Sequence, residues 1–157
     1  MKRYLIVTIS AGLACVLLVM VGDTPKAWAH CQVPCGIYDD EARINGMLED
    51  AVTIKKAMVQ INELAAKSDA LSLNQVTRWV NTKEQHASRI ITMVSEYFLT
   101  QKVKEVAPGA EGYQKYLESL AKHHRVLRAA MKTKQTVDSV NAEKLHAAIK
   151  VLGELYD

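Results

Sequence analysis

Two cysteines and a histidine lie within six residues of one another, in the run His30-Cys31-Gln32-Val33-Pro34-Cys35-Gly36-Ile37-Tyr38. Thiolate and imidazole are strong ligands for transition metals. The residues just before the run decide how much more it can offer. Ala27-Trp28-Ala29 is a small-x-small cleavage signature. It follows the basic pair Lys2-Arg3 and a nearly unbroken apolar stretch from Tyr4 to Gly22. These are the three parts of a secretory signal peptide, predicted over residues 1–29. Cleavage after Ala29 makes His30 the first residue and frees its α-amine. That amine titrates at about 8, close enough to neutrality to lose its proton and bind a metal.

The donors of this hook are then the amine and imidazole of His30, the thiolate and backbone amide nitrogen of Cys31, and the thiolate of Cys35. Pro34 and Gly36 shape the turn between them. Two nitrogens and two sulfurs in a plane point to Ni(II) or Cu(II), because Zn(II) prefers a tetrahedron. Thiolate and amide donors stabilise a higher oxidation state, and an axial imidazole adds to this. A redox-active nickel site built from a chain terminus is the physical inference. Other readings of the same residues remain. Cys31 and Cys35 can close a small disulfide in an oxidising compartment. A zinc site lacks further local ligands, and a copper brace needs another imidazole. Upstream, a membrane anchor over the apolar stretch or lipid attachment at Cys15 would keep His30 inside the chain.

The run His-Cys-x-x-Pro-Cys-Gly-x-Tyr at a processed terminus resembles the signature of nickel-containing superoxide dismutases. His30, Cys31, Pro34, Cys35, Gly36 and Tyr38 match it without a gap. The resemblance implies a nickel cofactor held by His30, Cys31 and Cys35. It also implies disproportionation of superoxide to O₂ and H₂O₂ by Ni(III)/Ni(II) cycling, with Tyr38 beside the metal admitting small anions. A four-helix bundle assembled as a homohexamer is implied as well. Glu96-Tyr97-Phe98 is similar to a family segment that brings a second tyrosine, here Tyr97, near the site. In one respect the chain departs from the family. The carboxylate that orients the axial imidazole falls near Asn45, with Glu49 one turn on, and its arginine is one of Arg43, Arg78 and Arg89. The alternative reading is a non-catalytic extracytoplasmic bundle that binds nickel or copper through the same hook.

The hook needs a scaffold, and residues 39–157 read as all-α. Asp39 and Asp40 are placed to cap a first helix with an apolar stripe at Ile44, Leu48, Ala51, Ile54, Met58, Ile61 and Ala65. Ser72-x-x-Gln75 predicts a capping box for a second helix. Its buried side is expected at Val76, Val80, Ala87, Ile90, Val94 and Phe98, with Pro108-Gly109 closing the segment. A third helix is predicted with Tyr113, Leu117, Leu120, His124, Leu127 and Met131 inward, and Lys132 to Thr136 as a polar connection. The fourth begins near Asp138, with Val140, Leu145, Ala148, Leu152 and Leu155 inward. Four amphipathic helices with short connections predict an up-down bundle.

The chain has 157 residues and a formal charge of +3, much of it on Lys2, Arg3 and Lys26 of the leader. The remainder is close to neutral, which argues against a nucleic-acid partner. Once the leader is removed, nothing calls for a membrane. The expected location is exported, periplasmic or extracellular.

Overall fold

The computed structural model describes residues 38–156. The predicted signal peptide, together with His30, Cys31 and Cys35, lies outside the described residues. Four α-helices follow in order: α1 Asp40–Ala65, α2 Ala70–Thr92, α3 Tyr113–Lys134 and α4 Val140–Gly153. A π-helical segment, Met93–Lys102, continues directly from α2. α1 packs on α2 and α4, and α3 packs on α2 and α4, so the helices close a ring in chain order. This is the expected up-down bundle.

Local chemistry explains the helix ends. Asp39 caps α1 as expected, accepting from Ala42 N at 3.1 Å. The cap of α2 differs from the expectation. Asp69, not Ser72, is the N-cap, and its carboxylate accepts from both the amide and the hydroxyl of Ser72. A carboxylate offers two acceptor oxygens and favours the positive end of the helix, so it outcompetes the hydroxyl three residues on. The Ser72 hydroxyl and then its amide hold the Asp69 carboxyl below the usual range. Between the π-helical segment and α3, Ala107 O accepts from Ala110 N around Pro108-Gly109. Gly109 has φ +81°, the left-handed value this turn needs after proline.

The core contains Met47, Ala51, Ile54, Met58, Ala87, Ile90, Val94, Phe98, Val126, Ala130, Leu145, Ile149 and Leu152. The expected stripes of α1 and the second half of α2 are buried, although Ala65 and Val80 are exposed. On α4, Val140 is exposed while Ala142 and Ile149 are buried, and Leu155, expected inward, is exposed just past the helix end. The inward face of α3 is turned from the expected one. His123, Val126, Ala130 and Thr133 are buried, whereas Leu117 and His124 are exposed. Small side chains let α3 approach its neighbours closely, and close packing rewards that approach more than it rewards side-chain size. Helix α3 also runs on to Lys134, through residues expected to form the connection.

Candidate functional site

Tyr38 ends the hook motif and stands at the start of the described chain, immediately before the α1 cap. It is partly exposed and meets the ring of Tyr97 edge-on, with centroids 5.9 Å apart. The guanidinium of Arg43, one turn into α1, lies 5.1 Å over the other tyrosine ring, that of Tyr38. The structure therefore brings Tyr38 and Tyr97 together. Their shared cleft of about 280 Å³ is lined by Tyr38, Arg43, Thr92, Met93, Glu96, Tyr97 and Gln101. Five of these seven come from the end of α2 and the π-helical segment.

The wider turn of that segment explains its local bonds. Val103 N donates to Phe98 O, Thr100 Oγ1 to Ser95 O and Gln101 Nε2 to Glu96 O, each five residues back. Met93, Tyr97 and Gln101, spaced by four, line one wall of the cleft. A π-helical stretch is unusual, and such stretches concentrate at functional sites.

Tyr97 is anchored from two sides. Its hydroxyl donates a short hydrogen bond to Asp40 Oδ1 in the first turn of α1. Lys102 Nζ lies 2.7 Å from the other oxygen of the same carboxylate. Burial, followed by the Asp40 hydrogen bond and charge, pushes the Tyr97 phenol well above its ordinary range. Tyr97 therefore stays protonated at neutral pH. Arg43 carries an unmet demand: its Nε is buried with no hydrogen-bond partner among the described residues. A buried donor of this kind calls for an acceptor from elsewhere.

The expected positions for an orienting carboxylate do not enter this cleft. Asn45 and Glu49 are both exposed, although Glu49 lines an adjoining cleft with Arg43, Asp50 and Arg89. Arg78 lines neither. What the sequence reading missed is Asp50. It is buried on the apolar face of α1, with Oδ1 2.6 Å from His86 Nδ1 and 3.5 Å from Arg89 Nη1. The signal was an acidic residue one turn before Ile54 on an otherwise apolar stripe. A buried charge at such a position needs partners.

A second histidine is fully committed. His123 is wholly buried, with Nδ1 2.8 Å from Ser119 O and Nε2 2.7 Å from the Tyr156 hydroxyl. The backbone carbonyl requires the proton on Nδ1, so Nε2 accepts from Tyr156. Burial lowers the His123 pKa, partly offset by the Ser119 carbonyl. No group of three or more His, Cys, Asp or Glu side chains placed to hold a metal occurs among the described residues. His30, Cys31 and Cys35, the residues the sequence singles out for a metal, lie outside the described residues.

A family model described as nickel-containing superoxide dismutase matches residues 25–157. No curated protein and no solved structure matches the chain. The matched region takes in the whole bundle, the residues of the Tyr38–Tyr97 cleft and the cysteine-bearing run that precedes Tyr38 in sequence, and the chain belongs to the nickel-containing superoxide dismutase family.

Proposed function

We propose that residues 30–38 are the metal hook of this nickel-dependent superoxide dismutase and that they enter the bundle at the Tyr38–Tyr97 cleft. The position of Tyr38 carries this reading. Cys35 is three residues away, so chain geometry holds it within about 11 Å of Tyr38. The residues present fit nickel on two grounds. The amine and imidazole of His30, the amide nitrogen and thiolate of Cys31 and the thiolate of Cys35 form a nitrogen and sulfur donor set that suits nickel. The orphaned Arg43 Nε at the cleft supplies a donor for an acceptor arriving with the hook.

Bound nickel supplies one-electron chemistry between its +2 and +3 states, turning two superoxide ions and two protons into O₂ and H₂O₂. The chain's own residues do the rest. Arg43 presents positive charge beside the cleft and draws in an anion. Tyr38 and Tyr97 narrow the approach to the metal, so that small anions pass. Asp40 and Lys102 fix Tyr97, so its ring is set before substrate arrives.

The leader, residues 1–29, is read as a cleaved export signal, which places the mature enzyme in the periplasm or outside the cell. The remainder, residues 39–157, is the bundle. A homohexamer is the assembly favoured by the family, with each hook packed against adjacent subunits. The exposed apolar side chains of Val52, Leu71 and Leu73 support further packing.

N-terminal sequencing of the native protein alongside metal analysis tests this reading. His30 at the terminus with stoichiometric nickel is expected. A single extra residue ahead of His30 moves the amine and should abolish turnover while the bundle stays folded. Cys31→Ser and Cys35→Ser should each lose nickel while circular dichroism keeps the helical signal. Full activity in the extended chain, verified by mass spectrometry, would overturn the hook assignment.

A further inference from the structure

Two clefts adjoin where the π-helical segment begins, and the residues lining both are Arg43 and Met93. The first is the Tyr38–Tyr97 cleft. The second, of about 220 Å³, follows α1 past Gly46, Glu49 and Asp50. Arg43 and Met93 thus form the partition between them. Arg43 brings a buried Nε that has no acceptor among the described residues. Met93 brings a thioether, a soft group that accepts hydrogen bonds only weakly.

The methionines among the described residues differ in what can reach them. Met47 and Met58 are only 2% and 0% exposed. Met93 and Met131 are partly buried. Met131 belongs to α3, which contributes no residue to either cleft. Among the described residues, Met93 is therefore the one methionine both open to a small solute and set in the wall of the Tyr38–Tyr97 cleft. The reaction of this family releases H₂O₂, a small neutral oxidant of thioethers.

We propose that Met93 is a modification site for the enzyme's own product: peroxide leaving the cleft oxidises it to the sulfoxide, and the new oxygen draws Arg43 away from the hook. The proposal rests on the hook docking at the Tyr38–Tyr97 cleft. The step balances with no further reagent, R–S–CH₃ + H₂O₂ → R–S(=O)–CH₃ + H₂O. A sulfur lone pair attacks one peroxide oxygen, an S–O bond forms and the O–O bond breaks. The departing hydroxide takes the proton left on the transferred oxygen and becomes water. Sulfur loses two electrons and peroxide gains them. The side chain changes from apolar to polar and gains an oxygen acceptor. That oxygen arises on the partition that Met93 shares with Arg43, where it competes for the guanidinium donors that the hook would otherwise use. Accumulating peroxide thus loosens the hook, and enzymatic reduction of the sulfoxide restores it.

The test exposes the nickel-loaded enzyme to added H₂O₂, stops samples with catalase at intervals, and maps their peptides by mass spectrometry. Met93 should gain one oxygen several-fold faster than Met131, with Met47 and Met58 unmodified. Release of nickel to a chelator should then be several-fold faster than from untreated enzyme, and methionine sulfoxide reductase should return it to the starting rate. Met93→Leu has no thioether at the partition, so peroxide should leave its release rate unchanged. That variant separates the effect from oxidation of Cys31 and Cys35, which both proteins contain. In Arg43→Gln, Met93 should be oxidised as before without accelerating release. Oxidation of Met131 as fast as Met93 would overturn the proposal, as would equal acceleration of release in the wild type and Met93→Leu. Added peroxide reaches Met93 wherever the hook lies, so nickel content and the N-terminal sequence of the untreated protein test the hook reading separately.

Discussion

The Tyr97 hydroxyl donates to the Asp40 carboxylate, tying the π-helical segment to the first turn of α1 just two residues after Tyr38. The contact joins parts of the chain 57 residues apart, close to Tyr38, the last residue of the cysteine-bearing motif. Anything that loosens it should loosen the cleft. Tyr97→Phe removes the donor and keeps the ring. The expected loss is about 1.5–3 kcal/mol, the range for hydrogen bonds to charged groups. Urea denaturation should show a lower midpoint with an unchanged slope. A double-mutant cycle with Asp40→Asn should return a coupling energy, and strict additivity would mean that the contact contributes nothing.

Arg43 places a guanidinium over Tyr38 at the edge of the cleft. Its proposed work is long-range attraction of superoxide, which acts on the encounter rate. Arg43→Gln should lower the second-order rate constant about tenfold at low ionic strength. The gap should narrow as salt is added, because the screening length falls to about 10 Å at 0.1 M. Pulse radiolysis across a salt series measures this. Equal salt dependence in both proteins would remove Arg43 from that role.

His123 makes stability depend on pH. Burial lowers its folded pKa below the ordinary 6.5, so the unfolded chain binds the proton more readily. The group's contribution is complete above about 6.5 and is lost as pH falls through that value toward the lower folded pKa. Urea midpoints measured from pH 7.5 down to pH 5, a span set by the ordinary histidine pKa of about 6.5, should fall for the wild type. They should fall less steeply for His123→Gln. Parallel slopes would show that His123 is not the group responsible.

Lys83 is buried, and its Nζ donates to Thr133 O at 3.0 Å and Lys134 O at 2.8 Å while pairing with Glu84. The charge thus sits on the last carbonyls of α3, at the negative end of its dipole. Lys83→Met keeps the stem and removes the charge. It should cost about 2–3 kcal/mol by stranding those acceptors, with superoxide turnover unaffected. A thermal or urea melt beside an activity assay checks both halves.

The chemistry was legible because it is local. Every proposed ligand falls within six consecutive residues, and neither spacing nor residue type needs a fold to be read. The caps at Asp39 and the stripe from Ile44 to Ile61 were readable for the same reason, since a helix repeats over a few residues. The family pattern drew attention to Tyr97 as a second tyrosine near the site, but its contact with Tyr38 came from the fold.

Tertiary structure decided what depends on distant partners. Which face of α3 turns inward was settled by how closely the helices approach, so Val126, Ala130 and Thr133 displaced the larger Leu117. His123, rather than His124, went into the core because Ser119 and Tyr156 together satisfy both of its ring nitrogens. Asp50 is tolerated in an apolar stripe only because His86 and Arg89 reach it from α2. The Asp40 anchor for Tyr97 likewise exists only once α1 lies alongside. Short-range periodicity names the elements, whereas the free energy of satisfying a buried polar group is set by neighbours that the chain brings in from far along its length.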